Sequence, residues 1–444
     1  MNRITHRSRA AALALTLAAL PVAAAGTAWA APAPTAAPQT TYTAHITQTA
    51  PTAPSSPTAL TSPTTPASPA AQSAQTAQTA AVSADPRAAG LALPRPTGPF
   101  AVGRDTLHLV DRHRPDPWVP TAKVRELMVT TYFPARPGTG RPARYATTEE
   151  VRLMLEGTEL DDIPAEKVSS TATHSREHAR PLHGRYPLVV LSPGFSVSRY
   201  TVTALAEDIA SRGYVVAAVD HAYESAGTAF PGGRMLTCLA CDKVKTLEDI
   251  KYAAEGRAKD VSFVLDRLTG PNPAWPHAGL IDTKRIGMVG HSLGGASAVP
   301  AMATDRRITA GVNMDGTFGS PVPASGLNGR PFMLLGTDDE THRPGGEDKT
   351  WDEAWSRFDG WKRWLTVAGS DHFTFTDIPA LSDQLDRPGP KPPLTGARSA
   401  DITRAYVGAF FDQHLRRIPQ PLLDGPSGAN PEVKFHDPAP TSHR

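Results

Sequence analysis

Short runs of apolar residues alternate along this chain with stretches whose apolar positions recur every three or four residues. Residues 186–192 are almost continuously apolar, which is typical of a parallel strand buried on both faces. Residues 205–212 have helical spacing, Gly213 follows as a helix-ending residue, and residues 214–220 are a second apolar run. A strand, a helix and a strand at this spacing predict a βαβ unit with parallel strands.

The same alternation continues on both sides of this unit. Further strands are predicted at residues 106–110, 126–134, 285–289, 308–314, 331–336 and 361–367. Further helices are predicted at residues 149–155, 247–268, 296–302 and 400–415. The rest of residues 137–184, the connection 221–244 and the polar segment 337–349 are predicted to be loops. The order of elements predicts an α/β fold with a mostly parallel, doubly wound sheet over residues 93–418.

The composition changes sharply outside this predicted domain. Residues 1–30 have a basic start, an apolar run and an Ala-x-Ala site, which predict a signal peptide cleaved near Ala30 and a secreted protein. Residues 31–92 are rich in Ala, Pro, Thr and Ser, and they have too little apolar area to offset the entropy of ordering, so we expect a disordered linker. Residues 419–444 are expected to be a Pro-rich tail. No other apolar run reaches about 18 residues, so no transmembrane segment is expected.

Charge and cysteine content narrow the possible functions. The 45 Lys and Arg residues nearly balance the 43 Asp and Glu residues, so nothing predicts a nucleic-acid partner. Cys238 and Cys241 form a single C-x-x-C pair without the second ligand pair of a zinc site, and a local disulfide is the favoured interpretation in an exported protein. His174, His178 and His183 are unevenly spaced, and we interpret them as part of a solvated basic loop rather than as metal ligands.

The clearest chemical motif follows the predicted strand at residues 285–289. Residues 290–294 read Gly-His-Ser-Leu-Gly, the G-x-S-x-G pattern in which a serine occupies a sharp turn between a strand and a helix. Gly290 and Gly294 lack the Cβ atoms that would prevent the close approach of neighbouring backbone. The motif predicts Ser292 as a nucleophile and, with the alternating elements, an α/β-hydrolase fold.

A serine nucleophile needs a base, and the base needs an acid that orients it. In α/β-hydrolases the chain order is serine, acid, histidine. His372 follows the last predicted strand and is the predicted base, whereas His342 lies in a polar loop too close to the preceding strand. The acid is either Asp315, after the strand that follows the elbow, or Asp338 or Asp339, after the next strand. Either strand end can present a carboxylate to the same histidine.

Several motifs resemble the plasma-type (group VII) platelet-activating-factor acetylhydrolases. They are Leu-Ser-Pro-Gly-Phe at residues 191–195, the segment 205–221, Gly-His-Ser-Leu-Gly-Gly-Ala at 290–296, which includes His291, and Gly-Ser-Asp-His-Phe at 369–373. In that family the acid follows the strand after the elbow helix at the separation that Asp315 shows. The resemblance therefore implies Asp315 as the acid.

The resemblance also implies an activity, the cleavage of short-acyl phospholipid esters through an acyl-serine without a metal or an organic cofactor. The backbone N–H groups of Leu293 and Phe195 would bind the oxyanion. The family grades into bacterial cutinases and polyester hydrolases, which use the later aspartate, here Asp338 or Asp339. A cutinase-like polyester hydrolase or lipase is thus the alternative, and a non-catalytic binding protein of the same fold is a third hypothesis.

Overall fold

The computed structural model describes residues 90–385 and 393–438. The predicted signal peptide and residues 31–89 of the predicted linker lie outside this part of the chain. Its strands are β1 (Ala101–Asp111), β2 (Arg125–Ala135), β3 (Arg141–Arg144), β4 (Ala172–Glu177), β5 (Tyr186–Ser192), β6 (Val215–His221), β7 (Thr228–Phe230), β8 (Arg234–Leu236), β9 (Ile281–His291), β10 (Ile308–Met314), β11 (Phe332–Thr337), β12 (Lys362–Val367) and β13 (Val433–His436). Its helices are α1 (Thr148–Leu155), α2 (Ala165–Ser169), α3 (Thr203–Ser211), α4 (Leu247–Thr269), α5 (Leu293–Ala296), α6 (Ala298–Thr304), α7 (Lys349–Arg357), α8 (Ile378–Ser382) and α9 (Gly396–Arg416).

One large sheet holds most of these strands, in the order β13-β12-β11-β10-β9-β5-β6-β2-β1-β4-β3. The strands from β12 to β6 in this order are mutually parallel, and β13 and β2 flank them antiparallel. Because β9 pairs with β5, the strand that ends in the elbow lies in the middle of the sheet. The carboxyl ends of parallel strands meet at one edge, where α/β proteins bind their ligands.

Helices cover both faces of this sheet, as the apolar runs predict. Along β5, Leu188 and Val190 pack in a core with α4, α6 and α7, while Val189 and Leu191 pack in a second core with α3 and α9. Side chains that alternate between two buried faces explain why the whole strand is apolar. The predicted fold class, a mostly parallel doubly wound α/β sheet, is confirmed.

The segment 137–184 is more ordered than the sequence analysis predicts. It contains β3, α2 and β4, and β4 pairs parallel with β1. The interpretation of His174 as part of a solvated loop is wrong, because it lies in β4 and its backbone N–H donates to the buried carboxylate of Glu207. Its ring Nε2 lies 2.9 Å from the carbonyl oxygen of Leu93. Over residues 90–385 and 393–438, no group of three or more His, Cys, Asp or Glu side chains is arranged to hold a metal ion.

The folded part of the chain also extends beyond both predicted limits. Leu91 is buried, and Ala92 forms a bridge with Ala172, so the last residues of the predicted linker belong to the domain. The predicted tail contributes β13, which pairs antiparallel with β12 and buries Val433. Both extensions consist mainly of backbone pairing between strands, which composition alone does not reveal.

The connection between β6 and α4 contains the two cysteines. It forms the separate hairpin of β7 and β8, and Cys238 is joined to Cys241 by a disulfide. The helix that follows begins with a capping box, in which Thr246 and Asp249 satisfy each other's backbone N–H groups. Among the described residues, none of the helices is both long and apolar enough to cross a bilayer.

Candidate active site

The elbow places Ser292 between β9 and α5 in a conformation that few residues other than glycine adopt. Its φ is 53° and its ψ is −126°. A Cβ atom at Gly290 would collide with the backbone of Gly294, and one at Gly294 would collide with the carbonyl oxygen of Ser192 at the end of β5. The two glycines therefore allow the turn to pack against the neighbouring strand, and the turn leaves Ser292 half-buried at the carboxyl edge of the sheet.

Ser292, His372 and Asp315 form one continuous series of hydrogen bonds. The Nε2 atom of His372 lies 3.0 Å from Ser292 Oγ, and its Nδ1 atom lies 2.6 Å from Asp315 Oδ2. The His372 side chain is 45% exposed, whereas that of Asp315 is 2% exposed. The imidazole thus lies between a buried carboxylate and a hydroxyl that a ligand can reach, which is the arrangement that activates a serine.

Asp315 follows β10 with a φ of 59°, and its carboxylate is held on both oxygens. Oδ1 accepts a hydrogen bond from the backbone N–H of Thr337, at 2.7 Å, and lies 3.0 Å from His342 Nδ1. Burial alone would raise the pKa of Asp315, but the charge and hydrogen bond of His342, together with those of His372, hold that pKa well below its usual range. The carboxylate is therefore charged over the whole working range of pH.

The two alternative acids have other partners. Asp338 accepts hydrogen bonds from Arg343 and Thr366 and forms an ion pair with Lys434 of β13. Asp339 accepts from the backbone N–H groups of Thr341 and His342. Of the three candidate carboxylates, the structure thus brings Asp315 to His372.

His291, the variable residue of the motif, holds the loop that carries the base. Its Nε2 lies 2.6 Å from the carbonyl oxygen of His372, and its ring centroid lies 4.7 Å from that of His372. Burial and the neighbouring His372 lower the pKa of His291 to about 3, so its ring is neutral and donates this hydrogen bond. The ring fits because a Cβ atom on Gly194 would lie only 2.8 Å from its Nδ1.

The two predicted oxyanion donors border the elbow. The N–H of Leu293 is the first of α5, so its own helix supplies no acceptor for it. Phe195 follows β5 in a loop that is fixed on both sides. The N–H of Ser196 donates to the carbonyl oxygen of Glu224 at 2.9 Å, and Arg257 Nη1 donates to the carbonyl oxygen of Pro193 at 2.5 Å.

A buried network of charges supports this loop from below, and the sequence analysis did not identify it. Its members are fully buried polar side chains from five segments: Asp116, Arg125, Ser192, His221, Glu224, Arg257 and Asp260. Arg257 donates to Glu224 at 2.7 Å, and His221 joins Ser192 Oγ, at 3.0 Å, to Asp260, at 2.8 Å. Burial would raise the pKa of Glu224, but Arg257 and Arg125 hold it below its ordinary value. Charged residues on the otherwise apolar face of α4 were the sequence feature from which this network could have been predicted.

Removal of one cation from this network is expected to destabilise the fold. Arg257→Met breaks a buried ion pair and leaves Glu224 with Arg125 as its remaining cation, a loss expected to cost about 3–5 kcal/mol of unfolding free energy. Urea denaturation at neutral pH measures the loss. Arg152→Met is the matched control, because Arg152 pairs with Glu149 and Glu156 on the surface, where solvent screens such pairs and their loss has little effect on stability. Equal losses in the two variants would contradict this account of the network.

An apolar rim of Trp118, Cys238, Leu239 and Tyr252 lies beside the oxyanion residues. Trp118 is 4% exposed, and it belongs with Cys238 to one apolar cluster that also contains Leu293 and Phe195. Tyr252 stands edge-on to Trp118 with ring centroids 5.6 Å apart and is 54% exposed, and Leu239 is 42% exposed. The disulfide therefore fixes the segment of this rim that contains Cys238. Cys238 belongs to the same cluster as Leu293, the residue that directly follows Ser292.

Comparisons with known proteins indicate an esterase. A family model described as "Platelet-activating factor acetylhydrolase, isoform II" matches residues 162–237 and 275–385, which include Phe195, Ser292, Asp315 and His372. A probable 1-alkyl-2-acetylglycerophosphocholine esterase of Arthroderma benhamiae is 29% identical over 377 residues, 78% of this chain and 94% of the relative. The platelet-activating factor acetylhydrolase of Cavia porcellus is 24% identical over 216 residues, 44% of this chain and 49% of the relative.

A solved structure extends the similarity over the whole domain. The ferulic acid esterase from Streptomyces cinnamoneus is 45% identical, with a TM-score of 0.70, and the match covers 79% of this chain and 100% of that one. The fold, the motifs and these similarities agree. The chain belongs to the same family of α/β-hydrolase esterases as this ferulic acid esterase, and it resembles the platelet-activating factor acetylhydrolases.

Proposed function

We propose that the protein is a secreted serine carboxylic-ester hydrolase that cleaves short-acyl esters, including phospholipid esters, through an acyl-serine intermediate. The observation that carries the mechanism is the series of hydrogen bonds from Ser292 through His372 to Asp315. Secretion is supported by the signal-like composition of residues 1–30 and by the disulfide, which is typical of exported proteins.

In the proposed mechanism, Ser292 Oγ attacks the ester carbonyl while His372 Nε2 takes its proton. Asp315 keeps the imidazole in the correct tautomer and stabilises the imidazolium. The N–H groups of Leu293 and Phe195 stabilise the negative charge that develops on the carbonyl oxygen. The alcohol leaves with the proton from His372, and water, activated by the same histidine, then hydrolyses the acyl-serine. The chain's own residues supply each of these roles.

Three observations bear on the acyl group. The relative from Arthroderma benhamiae, which this chain covers almost completely, is named as an esterase of an acetyl phospholipid, and this favours a short acyl chain. The rim of Trp118 and Tyr252 and the name of the 45% identical ferulic acid esterase favour a second candidate, an ester of an aromatic acid. A polyester hydrolase that uses Asp338 is less favoured, because Arg343 and Lys434 occupy that carboxylate.

A hydrolysis panel on the mature protein tests these candidates. With p-nitrophenyl acetate, butyrate and palmitate, we expect kcat/KM for the two short esters to exceed that for palmitate by about tenfold or more, since poorly accommodated methylenes cost transition-state binding. An acetyl phospholipid and methyl ferulate are compared in the same buffer. Preference for palmitate would contradict the short-acyl proposal.

The Tyr252→Ala variant separates the two candidates. If the rim binds an aromatic acyl group, the variant loses about threefold to tenfold in kcat/KM for methyl ferulate, as expected for one aromatic contact, and keeps its rate with p-nitrophenyl acetate. Equal effects on both esters would assign the rim a structural role and leave the acetyl ester as the favoured substrate class.

A further inference from the structure

His342 contacts the same carboxylate as the proposed catalytic base. Asp315 Oδ2 faces His372 Nδ1 at 2.6 Å, and Asp315 Oδ1 faces His342 Nδ1 at 3.0 Å. Two imidazoles from different loops therefore share one buried aspartate. His342 does not reach Ser292 itself, so any influence on the reaction passes through Asp315.

The His342 ring is held in place by several contacts. Its side chain is 6% exposed, and its ring centroid lies 4.5 Å from that of Trp351 in α7. The indole N–H of Trp364 in β12 donates to its carbonyl oxygen at 2.8 Å. Thr337 Oγ1 lies 3.1 Å from its Nδ1. The ring is thus fixed relative to Asp315 by the strands and the helix on either side.

Acidic groups face this imidazole from three segments. Besides Asp315 after β10, Asp348 at the start of α7 has its Oδ2 atom 3.8 Å from His342 Nε2, and Asp339 lies in the same loop. Within the described residues, neither His342 Nε2 nor Asp348 Oδ2 has a hydrogen-bond partner. The nearby cation Arg343 is paired with Asp338. A proton on Nε2 would therefore face a buried carboxylate, and a neutral Nε2 would place a lone pair against it.

The charges favour the protonated ring. Burial alone would lower the pKa of His342, but the charge and hydrogen bond of Asp315, with the charges of Asp348 and Asp339, raise it above its ordinary value. A positive charge behind Asp315 offsets part of the field that this carboxylate exerts on His372. The imidazolium form of His372 is then less stabilised than it would be beside a carboxylate that faced no second cation.

We propose that His342 is a positioning residue of the site: it holds the Asp315 carboxylate from the side opposite His372, and its positive charge extends the activity of His372 toward acidic pH. This inference rests on the proposed function, because it assigns a role relative to the proposed base. It predicts that the acidic limit of activity depends on a residue that does not touch the substrate.

The pH dependence of kcat/KM for p-nitrophenyl acetate tests this role. In His342→Asn, the amide nitrogen takes the place of Nδ1 as donor to Asp315 but has no titrating ring. We expect the acidic limb of the profile to move upward by roughly one pH unit, as for the removal of a like charge several ångströms away. The alkaline plateau is expected to change little.

His277→Asn is the matched control, because His277 is partly exposed and contacts Trp275 and Asp105 rather than the site. Its acidic limb is expected to coincide with that of the unmodified protein. An acidic limb that does not move in a folded His342→Asn protein, or one that moves equally in both variants, would overturn the proposal. Labelling by a fluorophosphonate and thermal unfolding report whether each variant is folded.

A second measurement uses the unmodified protein. The ring signals of His342 in a histidine-labelled sample, followed by NMR against pH, are expected to show that the ring loses its proton above the ordinary imidazole value of about 6.5. Titration at or below the ordinary value of about 6.5 would overturn the proposal. The NMR titration does not depend on turnover. Failure of this inference is therefore distinguishable from failure of the proposed function, which removal of the Ser292 hydroxyl tests directly.

Discussion

Ser292→Ala is expected to lower kcat for p-nitrophenyl butyrate by about 10⁴-fold or more, the loss typical of removing the nucleophile of a serine hydrolase. The effect is this large because the hydroxyl forms the covalent bond, and the remaining oxyanion donors cannot replace it. The Ser292 side chain is half-buried and its Oγ contacts His372, so the substitution removes one hydrogen bond and no core packing. The folded structure is therefore expected to persist.

Three measurements make this prediction decisive. Circular dichroism and the thermal midpoint check that the variant is folded. Covalent labelling by a fluorophosphonate probe is expected for the unmodified protein and absent for the variant. Ser356→Ala is the control, because the Ser356 hydroxyl donates to a carbonyl oxygen in α7 on the surface. Full activity in Ser292→Ala would exclude Ser292 as the nucleophile. Failure of the unmodified protein to react with the probe would favour the non-catalytic hypothesis.

Asp315→Asn is expected to lower kcat by roughly 10⁴-fold, since an amide can hold His372 in the wrong tautomer and cannot stabilise the imidazolium. The substitution is nearly isosteric, but it also removes the charge between His372 and His342. The loss is expected in kcat rather than in KM, because the carboxylate acts on the base and does not contact the substrate. Steady-state kinetics on the alkaline plateau of the pH profile measure this loss.

Asp338→Asn is the matched comparison at the other candidate acid. The Asp338 carboxylate pairs with Arg343 and Lys434, so we expect its loss to affect the thermal midpoint more than the rate. The opposite pattern, an inactive Asp338→Asn and an active Asp315→Asn, would assign the acid to the later strand, as in the polyester hydrolases. The pair of variants therefore tests the choice between the two families as well as the role of one residue.

The strands of the central sheet could be predicted because their burial leaves a direct mark on composition. The apolar runs at 186–192 and 308–314 coincide with β5 and β10, whose side chains are buried on both faces. By contrast, β4 and β13 are polar strands near or at the sheet edges, where backbone pairing replaces burial as the stabilising contact. Helix α7 carries Trp351 and Trp355 at helical spacing, but charged residues surround them, and the sequence analysis did not identify it.

The candidate site shows the same division. The elbow and His372 belong to local motifs, so their positions could be predicted from nearby residues. The choice among Asp315, Asp338 and Asp339 depends on Lys434, which is 96 residues away from Asp338 in the chain and reaches it only because β13 pairs with β12. The contact between His342 and Asp315 likewise depends on β10 lying beside β11, which periodicity along one strand cannot reveal.

The two ends of the large sheet, β3 and β13, have a consequence for how the protein behaves at high concentration. An open strand edge offers unpaired backbone groups to any other extended chain and can begin aggregation. Here each outermost strand is only four residues long. β3 begins and ends with an arginine, and it contains Pro142, which has no N–H to donate. Four of the six residues of β12, from Trp364 to Val367, pair with β13, so this part of β12 presents no free edge. The C-terminal segment thus protects the solubility of the enzyme as well as completing its fold.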